Sequence, residues 1–119
     1  MSPVAIRPSN PFPFLTQQEK PMAAYVYIMS NALNTVVYTG VTNDLLRRVY
    51  EHKTSFDPDS FTARYSVHNL VYYEIHSTMP LAIAREKQIK SRSRRYKNEL
   101  VNSMNPGWKD LYPELVKNT

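Results

Sequence analysis

Residues 25–40 read YVYIMSNALNTVVYTG, and the reading of this stretch decides the fold. The run from Ala23 to Met29 is β-branched and aromatic, residues 30–35 carry turn chemistry, and VVYTG resumes a strand, so the segment predicts a β-hairpin. Side chains alternate along a strand, which puts Tyr25, Tyr27 and Met29 on one face of the first strand and Val36, Tyr38 and Gly40 on one face of the second. A glycine closing a strand marks either an ordinary tight bend or the close approach of another backbone or ligand. Tyrosines on a strand are as readily core filler as reactive groups. The hairpin alone leaves both readings open.

Beyond the hairpin, Thr42 or Asn43 can cap a helix whose apolar stripe is Leu45, Leu46, Val49 and Tyr50. At about 100° per residue, Asp44, Arg48 and His52 line the shoulder of that stripe, so Arg48 points toward the sheet edge. The bland alternative for Arg48 is a local pair with Asp44, while Arg47 faces solvent and can pair with Glu51. Residues 53–66 read as a loop, and NLVYYEIH, Asn69 to His76, as a third strand. Thr78, Met79 and Pro80 start a helix that runs to about Lys90. Ser91 to Ser93 interrupts it. A further helix from about Arg94 to Met104 packs through Tyr96, Leu100 and Met104, and the turn Asn105-Pro106-Gly107 ends it. This order predicts an α+β fold, a small, mainly antiparallel three-stranded sheet flanked by helices in the order β-β-α-β-α-α.

The 119 residues suffice for one compact domain, expected over residues 22–112. Residues 1–21 hold five of the nine prolines without any helical or strand period and read as a disordered or loosely docked arm; residues 113–119 form a short tail. The net charge of +5 favours polyanionic partners, nucleic acid ahead of an anionic membrane surface. The absence of cysteine excludes a disulfide framework, a thiolate zinc site and a thiol nucleophile, and suits the cytoplasm. No apolar run approaches the roughly 18 residues of a membrane span, and no secretory leader pattern opens the chain.

Two features exceed what packing asks for. Ala82, Glu86 and Ile89 follow i, i+4, i+7, which sets a carboxylate in the middle of a buried helix face. Such a group must neutralise, pair or bind a cation. Arg85 is poorly placed to pair with it from the adjacent helical position, although a more distant arginine could serve. The segment KQIKSRSRRYK then carries Lys87, Lys90, Arg92, Arg94, Arg95 and Lys97 with no acid, either a solvated face or a phosphate-gripping surface.

Taken together, these residues resemble the GIY-YIG nuclease superfamily, and specifically its small stand-alone bacterial members. Tyr25-Val26-Tyr27 corresponds to the first motif element, Tyr38-Thr39-Gly40 to the second, and GVTNDLLRRVYEH to the stretch bearing the helical arginine. YYE, AIAREKQIK and NPGWKDL resemble the closing blocks, so the likeness spans about residues 23–112. Tyr25 stands where the first motif has glycine, Thr39 where the second has isoleucine, and Val41 where some relatives have lysine. The resemblance implies hydrolysis of phosphodiester bonds, with DNA the leading partner and neither a membrane nor an obligate protein partner. By position it implies a catalytic set of Tyr27, Tyr38, Arg48, His52 and Asn105, and a substrate surface of Gly40, Lys87, Lys90, Arg92, Arg94 and Arg95. It further implies one Mg²⁺ or Mn²⁺ on Glu86, since hard cations take oxygen ligands. Gly40 is expected to admit a nucleic-acid backbone. The rival readings are a non-catalytic nucleic-acid-binding module on the same fold and an interaction domain whose basic run meets an acidic partner.

Overall fold

The structure, a computed structural model, describes residues 23–118, so the arm expected over residues 1–21 lies outside the described residues. Among the described residues, β1 (Ala24–Ser30), β2 (Val37–Thr42) and β3 (Asn69–His76) form one antiparallel sheet in the order β2-β1-β3. The hairpin turn is an Asn31 device: its Oδ1 accepts from the backbone N–H groups of Thr35 (2.8 Å) and Val36 (3.0 Å). Asn34 supplies the left-handed residue, φ 58°. β1 is central and covered on both faces, and a strand buried on both sides reads as a continuous apolar run rather than an alternating one.

One face carries Ala24, Val26, Ile28 and Tyr72 against Ala82 and Ile89 of α3 (Met79–Lys90) and Val101 of α4 (Arg94–Met104). The other face packs Tyr27, Met29 and Leu70 against Leu45 and Val49 of α1 (Leu45–Lys53), with Val67 and Leu111 closing it. The third strand and the two later helices lie where the sequence puts them. Each helix starts at a hydroxyl: Thr78 accepts from Leu81 N and Ser93 from Tyr96 N.

The differences are local. α1 is capped by Asp44, whose side chain accepts from Arg47 N, rather than by Thr42 or Asn43; Thr42 Oγ1 instead holds Asp44 N at 3.0 Å. The buried stripe is Leu45, Val49 and His52, leaving Tyr50 57% exposed. In α4 the inward position is Val101, and Met104, expected in the core, is 44% exposed. A four-residue helix α2 (Phe61–Arg64) interrupts the expected loop, and α5 (Tyr112–Lys117) follows the last turn. Neither is long enough to show a hydrophobic period. Among the described residues no helix is long and apolar enough to cross a membrane.

Candidate functional site

The site starts from the hairpin register, in which Tyr27 faces Gly40. A methyl group at position 40 would lie 2.9 Å from Cε1 and 2.5 Å from Cζ of Tyr27. The room that Gly40 leaves is therefore filled by the Tyr27 ring, which gives this glycine a packing role within the hairpin. Tyr27 lies across the strand and is 1% exposed. Its hydroxyl is 2.9 Å from His52 Nε2, His52 Nδ1 is 2.7 Å from Thr62 Oγ1, and Thr62 Oγ1 is 3.3 Å from Ser60 Oγ. α1 brings in His52 from its third buried position, and α2 brings in Thr62 as its one buried residue.

Burial governs the electrostatics of this chain. It lowers the His52 pKa from 6.5 to about 4, with the Arg48 charge adding to the effect, so the ring is neutral at pH 7. A neutral imidazole bonds both ways, donating from one nitrogen and accepting at the other. Burial likewise raises the Tyr27 hydroxyl well above the ordinary phenol value; Tyr38 adds to this and the Arg48 guanidinium opposes it. Tyr27 stays protonated at neutral pH.

Tyr38 stands nearer solvent, its ring centroid 6.2 Å from that of Tyr27 and 5.3 Å, edge-on, from that of His52. Arg48 is half-exposed, and its charge acts on both tyrosines. It does not pair with Asp44. Its Nη1 donates to Glu51 Oε1 at 2.8 Å, while Arg47 takes both Asp44 (3.5 Å) and Glu51 (3.2 Å). From the opposite face α3, which packs on β1 and β2, supplies Glu86. Glu86 is 9% exposed and pairs one turn along with Lys90 (2.7 Å), whose Nζ lies 5.9 Å from the Tyr38 ring centroid. The partner of the buried carboxylate is thus a lysine on its own helix rather than a distant arginine.

The remaining expected residues divide. Lys87 and Arg92 are exposed, Arg92 resting 4.2 Å over the Tyr96 ring. Arg94 donates to the carbonyls of Asn34 (2.6 Å) and Thr35 (3.1 Å) and so ties α4 to the hairpin turn. Arg95 is open to solvent beside Glu99. Asn105 is not brought to the tyrosines. Its Nδ2 donates to the carbonyls of Val71 (3.1 Å) and Lys109 (2.7 Å) and its Oδ1 accepts from Lys109 N, which secures the far edge strand β3 at the bulge where Val71 is the extra residue. Sequence reasoning missed Thr62, Ser60 and the Arg48–Glu51 pair. The one available signal was Ser60 followed by Phe61 and Thr62, a capping hydroxyl before a short apolar turn.

A description of the GIY-YIG catalytic domain matches residues 23–100. The chain belongs to the GIY-YIG family. Curated relatives include a UPF0213 protein of Haloquadratum walsbyi, 37% identical over 65% of this chain and 84% of that one. Another, from Desulfotalea psychrophila, is 34% identical over 76% of this chain and 81% of that one. The solution NMR structure of a UPF0213 protein from Bacillus halodurans, 29% identical, aligns with a TM-score of 0.48 over 75% of this chain and 93% of that chain. Membership places the chain in a nuclease family, whose members in general use divalent metal ions and act on nucleic acid. Among the described residues no three His, Cys, Asp or Glu side chains gather to hold a metal by themselves. Glu86, 9% exposed and paired with Lys90, offers a single carboxylate, and Mg²⁺ is commonly bound through one carboxylate with waters and substrate phosphates completing the shell.

Proposed function

We propose that the protein is a metal-dependent endonuclease that hydrolyses phosphodiester bonds in DNA, working in the cytoplasm in repair or structure-specific processing. The observation that carries this reading is the convergence of Tyr27, Tyr38, Arg48 and His52 with Glu86 at the β1–β2 side of the sheet, where the Glu86 and Arg48 charges both act on the Tyr27 hydroxyl. Glu86 would hold the divalent ion, Mg²⁺ or Mn²⁺, which when bound neutralises charge on the scissile phosphate. Arg48 faces the same phosphate and stabilises the negative charge that grows on its oxygens.

Of the two tyrosines, Tyr38 suits the attacking water. Tyr38 is the less buried residue, whereas Tyr27 is sealed and tied to His52. Tyr38 accepts a hydrogen bond from that water and sets its line of attack. Tyr27 and His52 keep the site rigid and form a short proton path: if His52 accepts from Tyr27, its Nδ1–H donates to Thr62, and the opposite tautomer frees the Tyr27 proton for the site. The exposed cations Lys87, Arg92 and Arg95 supply sequence-independent phosphate contacts. The folded unit, expected to end at residue 112, continues through α5, whose Leu115 packs against the core, and the arm is dispensable for folding.

A second reading, a nucleic-acid-binding module without turnover, is favoured by the 2.7 Å Lys90–Glu86 pair, which compensates the carboxylate without a metal. The deciding experiment is a cleavage panel of single-stranded, nicked, flapped and branched DNA, plus RNA, with Mg²⁺ and with Mn²⁺, run on the wild type, Glu86→Gln and Arg48→Ala. We expect metal-dependent cleavage that falls about a thousandfold in Glu86→Gln, the several kcal/mol that Lewis-acid stabilisation supplies, with DNA binding and thermal midpoint retained. Binding without cleavage by the wild type on every substrate, with both metals, would establish the module instead.

A further inference from the structure

Helix α2 does its structural work through two side chains: Ser60 caps it by accepting from Ala63 N at 3.2 Å, and Thr62 reaches in to His52. Its two aromatic residues are not needed for that. Phe61 and Tyr65 are each 46% exposed, although aromatic rings are among the side chains that gain most from burial. They are nonetheless ordered into a ladder. The Phe61 ring stacks on Tyr38 with centroids 6.0 Å apart and planes 30° apart, and Tyr65 follows at 4.8 Å. A series of rings, the last tilted by 45° to its neighbour, therefore runs from Tyr38, on which the Arg48 charge acts, out into solvent.

Cations flank it. Arg64 on the same helix is exposed and makes no ion pair among the described residues, and Lys90, paired with Glu86, lies 5.9 Å from the Tyr38 ring centroid. Half-exposed rings in series with cations alongside are what a single nucleic-acid strand needs, because bases stack on the rings while the backbone follows the charges. A base inside a duplex has both faces covered by its neighbours and cannot use such a surface; an unpaired or extruded base can.

We propose that Phe61 and Tyr65 form a stacking site for an unpaired nucleobase of the substrate strand, next to the phosphate that Tyr38 and Arg48 address. The site rests on the nuclease reading for its neighbours and makes the substrate class narrower: single strands, flaps and extruded nucleotides rather than continuous duplex. Phe61 anchors the stack against Tyr38, Tyr65 extends it, and Arg64 meets the adjoining phosphate.

The test is affinity, measured by fluorescence anisotropy of the full chain in EDTA so that cleavage does not intervene. The probes are a labelled oligothymidine and a labelled duplex of equal length at one salt concentration. Phe61→Leu and Tyr65→Leu keep an apolar side chain and remove the flat ring; Phe61→Tyr keeps the ring. We expect each leucine variant to bind the single strand about tenfold more weakly, with duplex affinity unchanged and Phe61→Tyr at the wild-type value. An unchanged single-strand affinity in both leucine variants, or an equal fall on both probes, would overturn the site. If Phe61→Leu unfolds, Tyr65→Leu decides alone, since Tyr65 is the outer ring. Absence of cleavage with the single-strand preference intact would sink only the nuclease reading, and cleavage with no such preference only the stacking site.

Discussion

On the α1 face of the sheet Tyr27 meets a neutral His52, whereas on the α3 face Tyr72 meets an ionised Glu74. The second network is dense. Tyr72 donates to Glu74 Oε2 (2.5 Å), His76 Nε2 lies 3.0 Å from Oε1, and the Arg85 fork grips both oxygens at 2.9 to 3.1 Å. Arg85 also reaches Gln88 Oε1 (2.7 Å) and the Tyr96 hydroxyl (3.2 Å). Burial pushes the Glu74 carboxyl up, but the bonds from Arg85, Tyr72 and His76 outweigh it and hold the group below its ordinary value. Glu74 thus has its charge answered at every side. The Tyr27 chain is built of neutral groups, with the Arg48 guanidinium acting on the Tyr27 hydroxyl and an imidazole whose pKa burial lowers. One arrangement carries an answered charge and braces β3 against α3 and α4; the other keeps both its imidazole and its phenol neutral at the site where chemistry is proposed.

The largest effect should come from breaking the braced side. Arg85→Ala leaves Glu74 mostly buried with Tyr72 and His76 alone, and removing one partner of such a pair costs about 4 kcal/mol. Urea unfolding of the variant reads this directly. Any nicking activity per folded molecule should survive, because Arg85 touches neither Tyr27 nor Tyr38 in the contacts above. A loss below about 1 kcal/mol would mean that Glu74 finds compensation elsewhere and that the two networks are less different than their geometry says.

How much of this was legible follows from the distances along the chain. Strands and helices α1, α3 and α4 carry their own signals in periods, caps and β-branched runs, and Glu86 stood out because it breaks a period of its own helix. The Tyr27–His52–Thr62 chain was not legible as contacts. It joins residues 25 and 10 positions apart across a segment with no period, and needs the hairpin register and the phase of α1 at once. His52 and Tyr27 were reachable through the family resemblance, but Thr62 had no motif to carry it. The Glu74–Arg85 pair hides for the same reason, being set by how β3 lies against α3. The error at Met104 was one of helix phase, since Val101 one turn earlier takes the inward place.

Acid should separate the two networks next. The folded pKa of His52, about 4, lies below its ordinary 6.5, so the unfolded chain takes up that proton first. The stability tied to the neutral ring is complete above pH 6.5 and is lost as pH falls from there toward 4, an effect of about 3 kcal/mol. Arg48 and His68 help to lower this pKa, while Glu51 opposes them. Glu74 has a folded value below its ordinary 4.5, so its contribution persists above pH 4.5 and goes only in stronger acid. Stability measured against pH for the wild type and His52→Asn checks both windows. The variant should lose the slope between pH 6.5 and 4.5 and keep the one below it; a wild-type curve flat across the upper window would show that His52 is not the buried neutral group described.

The smallest energetic effect gives the sharpest contrast, because it compares the same atom on the two faces. Tyr27→Phe and Tyr72→Phe each delete one hydroxyl and little volume, and a single hydrogen bond is worth about 1 kcal/mol net, so neither should lower stability by much more. Their consequences then part. Without the Tyr72 hydroxyl, Glu74 still has the Arg85 fork and His76, and nicking should be unchanged. Without the Tyr27 hydroxyl, His52 Nε2 loses its partner and the proton path beside Tyr38 ends, so nicking should fall about a hundredfold, the range of a positioned acid–base group. Gly40 would not rescue it, since the ring that fills its space remains. Stability and nicking rates of the two variants, measured side by side, therefore test the division itself. Equal nicking by both would reduce the Tyr27 chain to packing and leave Tyr38, Arg48 and Glu86 to carry the reaction alone.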